Sequence, residues 1–183
     1  MQVAAKNVDE LSTGGSNAAY TWVAMDLLST NHRMNSALDS TTEGTGAIGG
    51  WGKSEMRTYL STTIWALIPA ELQAVIKEVK KYSCIYDTSG TKVSDDISND
   101  KLWIPSTHEV NNNTTYETQG PSYTGVFTSS NDRQRYKFGV TGSVAWWERS
   151  ASSTSDFRWI GSNGYDNGGR ASSNYGVLLG FCT

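Results

Sequence analysis

Trp146-Trp147-Glu148-Arg149-Ser150 opens the last segment of the chain, and Gly176-Val177-Leu178-Leu179-Gly180-Phe181-Cys182 closes it. Both ends are aromatic or apolar and read as framework. Between them, from Ala151 to Tyr175, the chain is almost wholly Ser, Gly, Asn, Asp, Thr and Tyr. Small polar residues cannot bury enough apolar surface to build a core. They can build a surface, and Tyr, Ser, Gly and Asn are the residues that antigen-binding loops use. Lys, Glu, Gln and Met do not occur from Arg149 to the end. The first three-quarters of the chain therefore reads as a scaffold, and the last part as the segment it displays.

The 183 residues suit one domain with a core of its own. No internal repeat or linker interrupts them, so the expectation is a single domain over 1–183, with its displayed region at about 151–180. The formal net charge of -3 comes without a basic stripe, which argues against nucleic acid as a partner. Hydrophobic residues make up 37% but include 7 Trp, so burial relies on a few large aromatics. No run approaches the roughly 20 apolar residues of a membrane span, and no membrane insertion is expected. The N-terminus shows no charged stretch followed by an apolar one, hence no secretory signal. Cys84 and Cys182 are too few for a disulfide framework. A bridge between them and two buried free thiols both remain open, and the apolar flanks favour the thiols.

Working back from the tail, Met1 to Asn7 reads as a strand and Tyr20 to Met25 as its hairpin partner, rich in aromatic and β-branched residues. Asn31 to Gly50 reads as loop. Ser54 can cap a helix to Ser61, with Glu55 in its first turn. A second helix is expected over Pro69 to Lys80. Proline is favoured at the first helical position, and Leu72, Val75, Ile76 and Val79 fall at i, i+3, i+4 and i+7. Lys81 to Asp87 alternates as a strand, with Tyr82, Cys84 and Tyr86 on one face, and Ser89-Gly90 turns the chain. Leu102-Trp103-Ile104 is a short buried segment stopped by Pro105. Val110 to Asp132 is a long loop pinned by Tyr116, Tyr123, Val126 and Phe127. Arg133 to Lys137 reads as a solvated basic face.

Catalytic patterns are missing. His32 and His108 have no second histidine or cysteine at metal-ligand spacing, so no metal or cofactor site is expected. Ser106 and His108 do not stand in a nucleophile elbow. Gly52-Lys53-Ser54 precedes a helix but lacks the upstream glycine of a phosphate-binding loop, Ala47 and Ile48 standing there. Asp95, Asp96 and Asp100 lack the calcium-loop pattern.

Five motifs in order carry a resemblance: Gly49-Gly50-Trp51-Gly52-Lys53-Ser54, Pro69-Ala70-Glu71-Leu72, Leu102-Trp103-Ile104-Pro105-Ser106, Trp146 to Ser150, and Gly176 to Cys182. From about Tyr20 onwards the chain resembles phage and gut-bacterial domains with a C-type lectin fold. Some of these are the variable proteins of diversity-generating retroelements. Members often read Trp-Leu-Arg-Ser where this chain has Trp147-Glu148-Arg149-Ser150. The resemblance implies an α+β, C-type lectin-like fold: two helices beside a small antiparallel sheet that joins both termini, and a loop-rich second half carrying the ligand surface. It also implies a ligand-binding display protein on a phage virion or bacterial cell surface, and not an enzyme. Its partner would be a protein or glycan on a host or bacterial surface. Sugar-binding calcium motifs of the lectins do not occur. A structural decoration protein and a formylglycine-generating-type enzyme are the alternatives; the latter needs catalytic cysteines. Retroelement mutagenesis acts on adenines of Asn codons and never yields Lys, Glu, Gln or Met, the four types missing from the tail. Trp159 alone falls outside the accessible set.

The residues themselves suggest which tail positions meet a ligand. Phe157, Ile160, Ala171 and Gly176 look buried or backbone-critical, as do Trp146, Trp147, Val177, Leu179 and Phe181. Side chains between them should point outward: Asp156, Trp159, Asn163, Tyr165, Asn167, Arg170, Ser173 and Tyr175. Trp, Tyr and Arg dominate interface energetics, and the intervening glycines should let these side chains converge on one patch. Arg149 is expected to hold loop carbonyls with its five donors instead of binding ligand.

Overall fold

The computed structural model describes residues 1–183. It is an α+β fold of four small antiparallel sheets and short helices. The first sheet is β1 (Gln2–Lys6), β2 (Tyr20–Val23) and β10 (Gly180–Cys182), with β2 in the middle. Both termini thus lie in one sheet, Gln2 opposite Val23 and Phe181 opposite Trp22. Only the end of the expected Val177 to Cys182 strand pairs in this way. Val177 and Leu179 instead offer their carbonyls to the Leu28 and Ala24 N–H groups, and both side chains are buried.

Ser54 caps α1 (Glu55–Tyr59), its Oγ accepting the Arg57 N–H at 3.1 Å. The helical path runs past the expected Ser61, through a π turn at Leu60–Ile64 and a tighter turn at Trp65–Leu67. Met56, Leu60 and Ile64 make its buried stripe.

The second helix is much shorter than its apolar period predicts. Pro69 stands at the cap position and α2 covers only Ala70–Gln73. Val75 is exposed, and Val79 already belongs to a strand. The Lys77 N–H donates to the Cys182 carbonyl, and the Lys80 N–H to the Glu10 carbonyl, each at 2.8 Å. Sheet edges take the backbone groups that a helix would have used. The β-branched Val75, Ile76 and Val79 suit that outcome.

β3 (Val79–Tyr86) and β4 (Lys92–Asp100) form a long hairpin. The polar run from Ser94 is therefore strand. In β3 the inward face carries Val79, Lys81 and Ser83, not Tyr82, and an irregularity in pairing after Ser83 turns Cys84 inward as well. α3 (Thr107–Asn111) starts from a capping box, in which Ser106 and Glu109 bond each other's backbone. The long loop after it buries Tyr123 and Phe127 and half-buries Tyr116 and Val126. α4 (Ser130–Arg133) and the hairpin of β5 (Arg135–Tyr136) and β6 (Ser143–Val144) lead into a three-stranded meander. The expected solvated face at Arg133 to Lys137 is not one: Arg135 is buried, its guanidinium 5.0 Å from the Phe127 ring centre. The meander is β7 (Trp146–Ala151), β8 (Asp156–Ile160) and β9 (Asp166–Arg170), in that order.

At the centre, charges alternate out of reach of water. Lys81 Nζ lies 2.5 Å from Asp9 Oδ1 and 3.1 Å from Glu109 Oε1, and Arg149 Nη1 lies 2.6 Å from Glu109 Oε2. All four side chains are at most 2% exposed. The Tyr123 hydroxyl donates to Asp9 at 2.8 Å and accepts from Lys81 at 2.7 Å. Thr21 also donates to Asp9. Lys81 Nζ sits 3.6 Å over the Trp103 ring. Arg149 spends its remaining donors on the Ile104 carbonyl at 2.8 Å and the Tyr82 carbonyl at 3.0 Å, the backbone role expected of it, with the Glu109 pair in addition. Burial alone would raise the Glu109 carboxyl, but the Arg149 and Lys81 cations outweigh it and hold the group at about 2.

Lys81→Met should strand the Asp9 carboxylate in the interior. Breaking a buried pair costs about 3–5 kcal/mol, to be read from the midpoint of urea unfolding. Because the Glu109 pKa is lowered on folding, its contribution is present above the ordinary carboxylate range and is lost as pH falls towards 2. A loss below about 1 kcal/mol in Lys81→Met would mean that the network does not lock the fold in the sense of a paired buried ion.

Candidate functional site

The tail segment is built on β7, every residue of which is buried. Trp146 and Trp147 anchor it twice over. Their rings are core, and their indole N–H groups donate to the Arg133 carbonyl at 2.9 Å and the His32 carbonyl at 2.8 Å. β8 pairs with β7 on one side and β9 on the other, so the register decides which side chains share a face. Trp159 lies opposite both Trp147 and Asn167, and Phe157 opposite Gly169. Asp156 lies opposite Arg170, and Ile160 opposite Asp166.

Phe157, Ile160, Ala171 and Gly176 are buried. None of the eight outward candidates is. Asn163, Tyr165, Asn167 and Arg170 are exposed, and Asp156, Trp159, Ser173 and Tyr175 are half-buried. They do not all converge. Strand alternation puts Trp159 and Asn167 on one face of the sheet and Asp156 and Arg170 on the other. Tyr175 joins the first group, its ring stacked on Trp159 at 4.8 Å and edge-on to Trp147 at 4.7 Å. The Trp159 indole lies across Gly169, where a Cβ would come within 2.7 Å of its Nε1. Asn163 and Tyr165 occupy the turn between β8 and β9, with the Tyr165 N–H donating to Asn163 Oδ1 at 3.2 Å. Gly164 in that turn has φ +78° and rests on the Ser130 carbonyl, so no side chain fits there. Asp156 Oδ2 accepts from Ser153 Oγ at 3.1 Å, and Ser173 closes a turn onto the Arg170 carbonyl at 2.9 Å.

Beneath the second face lies a polar layer that the sequence reading did not single out. Arg158 pairs with Asp166, Nη2 to Oδ1 at 2.5 Å, and its guanidinium covers Tyr116 at 5.1 Å. Glu148 is fully buried with no cation bonded to it. Its carboxyl accepts from Thr107 Oγ1 at 3.1 Å and Asn111 Nδ2 at 3.2 Å, both on α3. Burial, and then the nearby Asp166 carboxylate, push the Glu148 carboxyl well above the usual range. The signal was a charged residue, Glu148, amid an aromatic framework.

The three surface cavities lie elsewhere. The first, about 340 Å³, is lined by residues including Arg57, Trp65 and Asp100; the other two lie beside Glu10 and Lys80 and beside Leu11 and Lys77. No group of three or more His, Cys, Asp or Glu side chains is placed to hold a metal ion. Cys84 and Cys182 are free and buried, and burial pushes each thiol up to about 12. His32 stacks on Tyr59 at 4.2 Å, and His108 is enclosed in α3. No helix is long and apolar enough to cross a membrane.

A family model described as Domain of unknown function (DUF6273) matches residues 6–182, and the chain belongs to that family. No curated protein and no solved structure matches it.

Glu148 generates a pH prediction. Its folded-state pKa is raised, so the native state holds the proton more tightly and stability falls as pH rises from the ordinary carboxylate range towards the raised value. Glu148→Gln keeps the acceptor and cannot ionise. The variant should unfold at a higher denaturant concentration than the parent at neutral pH, and the difference should vanish near pH ~4. Equal midpoints at both pH values would show that Glu148 does not carry the proton.

Proposed function

We propose that this member of the DUF6273 family is a ligand-binding display protein with a C-type lectin-like fold, the variable protein of a diversity-generating retroelement. Its region at about 151–180 recognises a protein or glycan on a host or bacterial surface, and the protein works from a phage virion or bacterial cell surface. One observation carries the reading: within the tail, Phe157, Ile160, Ala171 and Gly176 are buried, while none of the eight interleaved candidates is. A fixed frame with substitutable chemistry between its members is what display requires. Both termini flanking β2 and the long loop before α4 support the lectin-like reading. A non-catalytic role is supported by two buried thiols held at about 12, because nucleophilic cysteines need an accessible thiolate.

Trp159 and Tyr175 form one recognition element, backed by Trp147, and Tyr165 at 61% exposure forms another at the turn. Trp159 also leans on the core, so its removal will be felt by the fold as well as by a ligand. Thermal unfolding should show Tyr165→Ala within about 0.5 kcal/mol of the parent and Trp159→Ala lower by about 1–3 kcal/mol. A large loss in Tyr165→Ala would make that ring structural.

The test of the whole reading is genetic. The gene would be sequenced across related genomes, with a search beside it for a reverse transcriptase and a template copy of the tail. Differences should concentrate between Ala151 and Tyr175 and be confined to residues that an Asn codon with altered adenines encodes. Substitutions spread evenly over scaffold and tail, with no reverse transcriptase nearby, would sink the proposal.

A further inference from the structure

The most exposed large apolar side chain of the molecule lies outside the tail. Phe138 is 96% exposed at the loop joining β5 to β6, and Tyr136 and Val140, two residues to either side, are 52% and 48% exposed. Single apolar residues on a surface are ordinary. Three within five residues, around the tight turn at Phe138-Gly139, make a local exposed apolar cluster, and such clusters mark interaction sites. The loop is held in place. The Val140 N–H bonds the Lys137 carbonyl at 3.1 Å, the Leu27 N–H bonds the Tyr136 carbonyl at 2.9 Å, and Lys137 Nζ reaches Asn31 Oδ1 at 2.8 Å.

This arm adjoins the displayed segment. Ser143 Oγ donates to the Ser162 carbonyl at 2.5 Å, in the same turn that carries Asn163 and Tyr165. Its base is cationic: Arg133, Arg135 and Lys137 make no ion pair. Arg135 is buried with its Nε and Nη2 enclosed, so the cations that reach solvent here are the half-buried Arg133 and Lys137. Of the nearby carboxylates, Asp132 accepts from Thr128 and Ser129, and Asp132 and then Asp26 both act on Arg135 without a carboxylate contact.

We propose that the β5–β6 arm and the displayed segment form one recognition surface, and that its partner is a protein offering an apolar socket for Phe138 rimmed by carboxylates. The inference rests on the display reading and narrows its partner from protein or glycan to protein. Phe138 and Val140 bring no hydrogen-bonding group, so they gain only by entering an apolar socket. Sugars are polyhydroxylated and need polar groups converging in a cleft, and no cavity of this chain reaches the arm or the tail. Arg133 and Lys137, half-buried and without an ion pair, are the cations beside Phe138 that complement an acidic rim.

The test pans the immobilised full chain against a phage-displayed library of random peptides, and in parallel against a glycan array. Enriched peptides should combine Asp or Glu with Leu, Ile, Phe or Trp, and weaken as salt rises. They should bind Phe138→Ser, and Tyr165→Ala, at least about ten-fold more weakly than the parent. Phe138 is almost wholly exposed, so its substitution leaves the fold intact, which circular dichroism would verify. Binding to glycans alone, peptides without acidic residues, or an empty selection overturns the inference. Peptides that Tyr165→Ala loses but Phe138→Ser keeps within about two-fold sink the arm and leave the display surface standing. Peptides that Phe138→Ser loses but Tyr165→Ala and Trp159→Ala both keep sink the shared surface and count against the display reading itself.

Discussion

Four ionised side chains sealed from water tie together parts of the chain that are far apart in sequence. Asp9 comes from the turn after β1, Lys81 from β3, Glu109 from α3 and Arg149 from β7. Their charges alternate and cancel, and the hydroxyls of Thr21 and Tyr123 occupy further sites on Asp9. Each buried ion costs several kcal/mol in desolvation, which its partners offset only when the geometry is met. Such a network adds little net stability over a well-packed apolar core. It does penalise every other arrangement. A one-residue slip of β3 would turn Lys81 to solvent and leave Asp9 enclosed without a cation. The alternating charges therefore act on register more than on depth of folding.

The β7–β8–β9 sheet takes its position from this lock. Neighbouring residues of β7 grip the same helix: Arg149 through the Glu109 carboxylate, and Glu148 through the Thr107 hydroxyl and the Asn111 amide. The Arg149 guanidinium also binds carbonyls of Tyr82 and Ile104, so β7 is fixed to β3 and to the segment before α3. β8 and β9 then follow from β7 by backbone pairing. Nothing in the tail has to stabilise its own placement. Glu148 is the uneasy member, a buried carboxyl with two neutral donors and a carboxylate nearby, and burial followed by Asp166 pushes its pKa well above the usual range.

Several features were legible in the sequence because their causes are local. Ser54 with Glu55 marks a helix start, and Ser89-Gly90 marks the β3–β4 turn. The aromatic framework of the tail shows where the core lies. The second helix was misread for the opposite reason. Leu72, Val75, Ile76 and Val79 fit a helical period, but the N–H groups of Lys77 and Lys80 answer to Cys182 and Glu10, partners that no window of sequence contains. Lys80 and Lys81 are chemically alike, yet Lys80 bridges the half-exposed Glu10 while Lys81 is sealed against Asp9. Only tertiary structure separates them. The capping box at Ser106 and Glu109 was readable and would have located α3. The split of the candidate contacts between two faces was partly readable too, once Asn163 to Tyr165 is taken as a hairpin turn, because strand alternation then assigns every side. The proposed C-type lectin-like reading draws on the five sequence motifs and on the pairing of both termini with β2.

Freedom to vary is uneven even within the exposed segment. At Asn163, Tyr165, Asn167 and Arg170 the side chain projects into solvent, and a replacement changes stability by a few tenths of a kcal/mol in the ordinary case. Gly164 and Gly169 lie among them and are under the opposite constraint. A side chain at Gly164 meets the Ser130 carbonyl, and one at Gly169 meets the Trp159 indole. The first contact fixes the turn against α4, and the second lets Trp159 lie flat enough to stack on Tyr175. These two glycines therefore belong to the scaffold although they sit between exposed positions. The boundary between constrained and freely substitutable positions runs residue by residue through the β8–β9 turn and β9, and backbone clearance draws it as much as burial does.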